Sequence, residues 1–457
     1  MSTMNEASVS TTAAARTPPG VIDFRELINS RGMSTMQWVL LVLCMLLVIA
    51  DGMDVAIMGF LVPAISREWN VSHELFGVVL SAAPVGLAVG ALLAGPQADR
   101  YGRKRVLLAS VLLFGVFSIA CAMATSVTML VIQRFITGLG LGATMPCTIT
   151  LLSEYVPERS RSLLITCMFT GFNLGSALIG FVAAAVIPAH GWRAVLAIGG
   201  ALPLLLLPLY WRWLPESASF LIVKKAPAAD ITRTINSVCG TRVQASSRYV
   251  VHETPMRDRQ PVRTLFTPIF LRRTVTLWAA YFMGLVVIYL FNSWMPTLFT
   301  NAGLGIRHAA NTTALFQVGG TVGAILVGFA MDRLAPERVI AAAYVGGALA
   351  ILLLAWFGVS SSQFALIALI AGFFISGAQT GLNAYAPACY PTAARATGVS
   401  WMLGTGRFGS IFGSMIGGVM LTIGWSSVTI IAVLAVPAFL AAFAAYQSHA
   451  GRTALTN

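Results

Sequence analysis

The chain has 457 residues, of which 57% are hydrophobic and only 10% charged, where soluble domains carry about 25% charged residues. That balance excludes an ordinary soluble domain and calls for lipid as the solvent. The net charge of +13 would also suit nucleic acid, but the placement of the basic residues, described below, excludes that class.

Residues 1–35 form a polar tail rich in Ala, Ser and Thr, with no signal-peptide pattern and a short segment of helical periodicity from Val21 to Ile28. The first apolar run is therefore expected to serve as the insertion signal. A bilayer core about 30 Å thick takes about 20 apolar residues per helix. Twelve such runs follow, near 36–63, 73–95, 106–125, 128–152, 162–187, 192–213, 274–299, 309–331, 338–358, 363–388, 396–423 and 427–447.

Of the 29 Lys and Arg residues, only Arg67, Arg193 and Arg307 fall in loops assigned to the outside, and Arg134 and Arg407 lie inside spans. The others belong to the two tails and alternate loops. By the positive-inside rule both termini are expected in the cytoplasm, which requires an even number of spans. Five cysteines fall within spans and Cys239 in a cytoplasmic loop, a distribution unlike a disulfide framework.

In the first run, Asp51 and Asp54 stand three residues apart, which puts both carboxylates on one helical face. An ionised side chain at the bilayer centre costs about 2.5–3.5 kcal/mol on insertion scales, so it needs a partner or a watery cavity. Two acids in one desolvated site resist double ionisation, which suits a proton carrier. The competing reading is structural: one Asp pairs with Arg134 of span four and the other caps a helix broken at Gly52. Arg134 sits at a depth compatible with Asp54, either to modulate it or to lock the two spans together.

After span two comes Gly95-Pro-Gln-Ala-Asp99-Arg100-Tyr-Gly102-Arg103-Lys-Arg105, and after span eight the same spacing of Gly, Asp and Arg recurs at Gly328, Asp332 and Arg333. Gly95, Asp99, Arg100, Gly102, Arg103 and Arg105 are expected to form a conformational latch, Asp99 accepting from a helix N-terminus or from an Arg such as Arg161 when the cytoplasmic side closes. Glu154 and Asp332 are assigned to the same network. A topology signal alone would account for the charges but not for the Gly-to-Asp spacing.

A polar stretch from Lys224 to Arg273, with ten basic residues, divides the runs into two groups of six. The expected organisation is a tail (1–35), a six-helix bundle (36–213), a cytoplasmic linker (214–273), a second six-helix bundle (274–447) and a tail (448–457). A further echo joins Tyr155-Val-Pro157 with Arg161 to Tyr390-Pro391 with Arg395, and in that register Asn173 falls opposite Arg407. Parallel halves of this kind hold substrate near the midplane between them.

Arg407 lies about twelve residues into span eleven, roughly 18 Å from its inner end at 1.5 Å per residue. No acidic residue accompanies it in any span of the second half. Its guanidinium fork matches a carboxylate, so its counterion is expected to be a substrate carboxylate or, across the cavity, Asp51 or Asp54. Tyr281, Asn292, Trp294, Gln317, Gln379, Asn383 and Tyr385 are candidates to complete the pocket, Asn292 and Asn383 first because a span Asn needs a partner. The span glycines mark close helix packing, and no P-loop lysine follows any of them.

These motifs resemble the major facilitator superfamily over nearly the whole chain: the loop after span two, Arg134-Phe-Ile-Thr-Gly138-Leu-Gly140-Leu-Gly142 in span four, and Pro215-Glu216-Ser217 after span six. Within it, Asp51-Gly-Met-Asp54, Leu-Ser-Glu154-Tyr155 and Thr405-Gly-Arg407-Phe-Gly409-Ser resemble the aromatic acid:proton symporters, which import benzoate, hydroxybenzoates, protocatechuate and gentisate. Gln97, and Ser217-Ala-Ser-Phe in place of Ser-Pro-Arg-Trp, depart from that pattern. The resemblance implies an all-α inner-membrane protein of twelve helices in two pseudo-symmetric six-helix bundles. It implies proton-coupled import of a small aromatic carboxylate by a monomer, without cofactor or metal. A drug exporter or sugar porter is the alternative within transport, and a receptor for aromatic acids the alternative outside it. The five histidines, His73, His190, His252, His308 and His449, lie in loops or tails with no nucleophile pattern, so an enzyme is not expected.

Overall fold

The computed structural model describes residues 21–240, 248–250, 265–357, 363–390 and 392–448. Most of the first tail, part of the linker, the end of the last tail, His252, His449 and Pro391 lie outside the described residues.

The first half comprises α2 (Thr35–Trp69), α3 (His73–Tyr101), α4 (Arg103–Ala122), α5 (Val127–Tyr155) and α6 (Glu158–Trp213). The last is 56 residues long and breaks at Gly191, whose φ of 75° a side chain would resist, so it supplies two crossings. The second half comprises α9 (Pro268–Asn301), α10 (Ile306–Arg333), α11 (Pro336–Phe357), α12 (Phe364–Tyr385), α13 (Thr392–Thr422) and a last crossing made of α14 (Ser427–Val433) and α15 (Ala435–Gln447). Ten of these stretches are long and apolar enough to span a bilayer. With the second arm of α6 and with α13 they make twelve crossings in an all-helical membrane fold. All six cysteines are free.

Between bilayer helices there is little hydrophobic force, so association depends on close packing at small residues. A Cβ added to Gly52 or Gly175 would meet backbone carbonyls that join α2 to α6, and one on Gly138 or Gly142 would meet carbonyls of α3 from α5. Six crossings later the pattern returns. Gly409 and Gly413 press on carbonyls of α9, and Gly319 and Gly372 bring α10 against α12. First with fifth and second with fourth in one half therefore correspond to seventh with eleventh and eighth with tenth in the other.

The halves meet at their outer ends, taking as inner the end where α2 begins. A Cβ on Gly59 would meet the Asn292 carbonyl, one on Gly77 the Met415 carbonyl, and one on Gly418 the His73 carbonyl. Towards the inner end a Cβ on Gly95 of α3, Gly328 of α10 or Gly404 of α13 would meet nothing within 4 Å.

The inner end carries its own cap. Val21 to Asp23 form a strand, β1, paired in parallel with β2 (Arg248–Val250), and α1 (Phe24–Asn29) follows directly. Helical periodicity therefore holds only from Phe24, because pairing with the linker draws Val21 to Asp23 into extended backbone. Phe24 is fully buried, edge-on to Tyr155 at 5.8 Å. Arg25 donates to the Ser153 carbonyl at 2.9 Å, and Asn29 accepts from the Glu158 amide at 2.9 Å. Two short helices, α7 (Ala218–Val223) and α8 (Ala228–Cys239), complete the cap, with Ser34 bonded to the Val238 carbonyl.

Candidate functional site

Asp51 and Asp54 lie one turn apart on α2, at 1% and 2% exposure. The turn between them is held from the side, since Gly52 abuts the Phe172 carbonyl on α6 and Ser176 donates to the Gly52 carbonyl at 2.9 Å.

Both carboxylate oxygens of Asp54 are engaged. Arg134 on α5 donates to Oδ2 at 2.9 Å and to the Asp54 carbonyl at 3.1 Å, and Ser118 on α4 donates to Oδ1 at 2.5 Å. A buried ion pair is tolerated where such added bonds satisfy both ions. Asp51 is placed differently. Its Oδ1 is buried without a hydrogen-bond partner, and the charges acting on it are those of Arg407 across the central seam and of Asp54.

Arg407 is half-buried on α13, with its guanidinium near the hydroxyl of Tyr289 on α9. Its charge also reaches Tyr281, whose hydroxyl lies within hydrogen-bonding reach of Gln379 and Asn383 on α12. Gln379 in turn accepts from Tyr344 on α11 at 2.6 Å. Gly406 makes room for the Tyr281 ring, as Gly284 does for the Gln379 side chain. The result is a lone cation set among neutral hydrogen-bonding groups and aromatic rings. Between the halves a narrow crevice runs past Arg134, Tyr289, Ser293 and Ser414, otherwise lined by Val55, Met58, Leu80, Ala83, Pro84, Leu87 and Leu141. Arg134 in this crevice is paired with Asp54, and Tyr289 links the crevice to the Arg407 cluster, whose cation and tyrosine rings fit a ligand with one anionic end and a flat ring.

The remaining candidates scatter. Asn292 accepts from Gln317 beside Gly59, leaving its own Nδ2 buried and unpartnered. Asn173 sits at the α6–α10 seam, near Gly320 and Ser376. Trp294 is fully buried and donates to the Ser414 carbonyl at 2.7 Å, next to Gly417 and Gly418, so its polar edge is committed to helix packing. Tyr385 stands beside Ser448 and Cys389, away from Arg407.

Part of the latch residues cluster within the first half. Arg103 lies 3.4 Å from Asp99, 3.9 Å from Glu154 and 3.2 Å from the Ser217 hydroxyl, which donates to Glu154 at 2.5 Å. Glu216 accepts from the Lys104 amide and lies against Gly102, whose φ is 98°. Arg161 pairs with Glu158 at 3.3 Å, not with Asp99. Arg100, Arg105 and Asp332 are exposed.

Sequence reasoning missed Ser118, Tyr289 and the engagement of Glu216 with Gly102. Ser and Tyr are ordinary in apolar spans, and only the helix positions single these out. Pro215-Glu216-Ser217 stood out as a motif, but its partners on α4 and α5 lie over sixty residues away in the chain.

The sequence profile of the Major Facilitator Superfamily matches residues 44–362 and 303–454. The chain is 52% identical over 423 residues to the gallate transporter of Pseudomonas putida, covering 93% of this chain and 94% of that one. It is 46% identical over 422 residues to the 4-hydroxybenzoate transporter PcaK of the same organism, covering 92% and 94%. Among solved structures, the xylose transporter XylE of Escherichia coli, in a partially occluded inward open conformation, superposes with a TM-score of 0.71 at 16% identity, covering 90% of this chain and 98% of that one.

Proposed function

The chain belongs to the Major Facilitator Superfamily of membrane transporters, and from that premise we propose that it imports a small aromatic carboxylate together with a proton. It is a multi-pass membrane protein, of the inner membrane in bacteria, and not an enzyme. The observation that carries the substrate reading is Arg407, a half-buried cation at the central seam whose charge reaches Tyr281, Tyr289 and, from the other half, Asp51. The names of two relatives, a gallate and a 4-hydroxybenzoate transporter, support it.

A guanidinium forks onto a carboxylate, and such charge-assisted bonds contribute about 1.5–3 kcal/mol. The tyrosine rings and amides beside it suit a ring bearing hydroxyls. In the outward-facing state the aspartate pair takes a proton, the acid docks on Arg407, and the less charged cavity closes. The six-helix halves, 36–213 and 274–447, then rock about the site until the inner seams part. Coupling requires that the acid bind more tightly when the pair holds a proton, because a ligand shifts a state only by its differential affinity. The proton gradient drives the cycle with no cofactor, and a monomer with both termini in the cytoplasm suffices.

The test is uptake of labelled gallate, 4-hydroxybenzoate and benzoate into proteoliposomes with an inward proton gradient, measured above protein-free liposomes because protonated weak acids cross lipid unaided. Gradient-dependent accumulation of one of them, lost in Arg407→Ala, is expected. Transport of a sugar or an exported cation instead would refute the substrate class.

A further inference from the structure

The two aspartates of α2 sit one turn apart yet differ in every contact, and the difference assigns them separate work. Asp54 has a hydrogen-bond donor on each oxygen: Arg134 at 2.9 Å on Oδ2 and Ser118 at 2.5 Å on Oδ1. All three residues are buried and belong to one half, on α2, α4 and α5. Removing the Asp54 charge would leave a buried guanidinium without its counterion. Nothing in the central seam needs to touch this carboxylate for it to be satisfied.

Asp51 has the opposite character. It is 1% exposed, its Oδ1 has no donor, and the cation acting on it, Arg407, belongs to the other half. The titratable and charged groups around it are Asp54 on its own helix, Tyr289 on α9 and Arg407 on α13. Arg134 on α5 and Cys121 on α4 face Asp54, and α6 contributes the Ser176 hydroxyl, spent on the Gly52 carbonyl. A buried carboxylate oxygen without a donor is costly when ionised and is relieved by a proton.

Resting on the symport reading above, we propose that Asp51 alone carries the exchanged proton and competes with the substrate carboxylate for Arg407, whereas Asp54 is a strut held by Ser118 and Arg134. The ordering follows from charge. With Asp51 ionised, Arg407 has an internal counterion and the acid must displace it. With Asp51 protonated, through transfer of one proton from the open side to its carboxylate, Arg407 is free for the incoming anion. When the acid leaves, Arg407 again favours ionised Asp51, which returns the proton to the side then open. One proton thus accompanies one carboxylate, because both act on one guanidinium.

The experiment uses reconstituted full-length protein and two assays on the same vesicles, gradient-driven accumulation of 4-hydroxybenzoate and counterflow exchange with the acid on both sides. One proton per monoanion limits accumulation to about tenfold for one unit of pH difference. Asp51→Asn is expected to lose the gradient-driven uptake seen above protein-free liposomes while keeping exchange, and to abolish the pH dependence of the half-saturating concentration. Asp51→Glu, which restores a titratable group, should restore both. Asp54→Asn is expected to lose accumulation and exchange together and to unfold at lower temperature in detergent. Should it not fold, Ser118→Ala decides through its pH profile: lower stability and slower uptake with the wild-type pH dependence of the half-saturating concentration are expected. The assignment is overturned if Asp51→Asn still accumulates the acid, or if exchange without accumulation appears in the Asp54 or Ser118 variant instead. Failure of the wild type to accumulate any aromatic acid would overturn the symport reading itself, a result distinct from either.

Discussion

Arg103 holds Asp99 at 3.4 Å within its own half, and Asp99 still keeps 74% of its side chain exposed. An acid expected to bridge helices when the inner end closes is thus occupied by a neighbour one turn away. An exposed pair at this spacing contributes only about 0.3–0.5 kcal/mol, so the contact is easily exchanged for another.

Asp99→Asn should therefore leave thermal unfolding in detergent nearly unchanged while slowing uptake severalfold, because it removes an acceptor used in the closed state. Equal uptake rates for wild type and variant would count against any bridging role for Asp99.

Two glycines separate packing from motion. Gly52→Ala pushes a methyl into the Phe172 carbonyl, and overpacking of this kind costs about 1–3 kcal/mol; both stability and uptake are expected to fall. Gly95 meets nothing within 4 Å, so Gly95→Ala should fold as stably as wild type yet transport more slowly if α3 must approach its neighbour on closing. Thermal unfolding and initial uptake rates measured side by side distinguish the two effects.

At the anion site, Arg407→Lys keeps the charge but loses the fork. The half-saturating concentration of the transported acid should rise about tenfold or more, in line with about 1.5–3 kcal/mol for a charge-assisted bond. Tyr289→Phe removes only the hydroxyl near Arg407, and a shift of a few-fold is expected. A larger effect from the tyrosine than from the arginine would show that the cation is not the main anchor.

The cap at the inner end should be separable from transport chemistry. Phe24 is fully buried against Tyr155, and truncating a core Phe costs up to about 3–5 kcal/mol. Phe24→Ala is expected to lower the unfolding temperature while leaving the half-saturating concentration unchanged. A change in affinity without a change in stability would place this segment in the substrate path.

Most of the architecture was readable because the bilayer makes strong demands of a sequence. Runs of apolar residues show the crossings, and an ionisable side chain inside one, such as Asp51, Arg134 or Arg407, is conspicuous because it is costly there. Hydrogen bonds between helices leave no comparable mark. Ser118 is one serine among many in apolar spans, and Tyr289 one of several aromatics in α9, so their contacts with Asp54 and Arg407 emerge only when five helices are assembled. Trp294 shows the reverse error, since its size and type suggest a ligand contact while its indole is spent on the Ser414 carbonyl. Val21 to Asp23 carried no strand signal at all, because their partner lies in the linker.

That pairing bears on how the chain is made. Val21 aligns with Arg248, so this segment, made before the first bundle, waits without its strand partner until six crossings and much of the linker have been synthesised. Phe24 packs on Tyr155 of α5, which precedes the linker in the chain, so α1 can dock as soon as the first bundle exists and β1 joins β2 afterwards. Protection from protease on stalled nascent chains should therefore grow in two steps, first at Phe24 and then at Val21 to Asp23 once the linker has emerged.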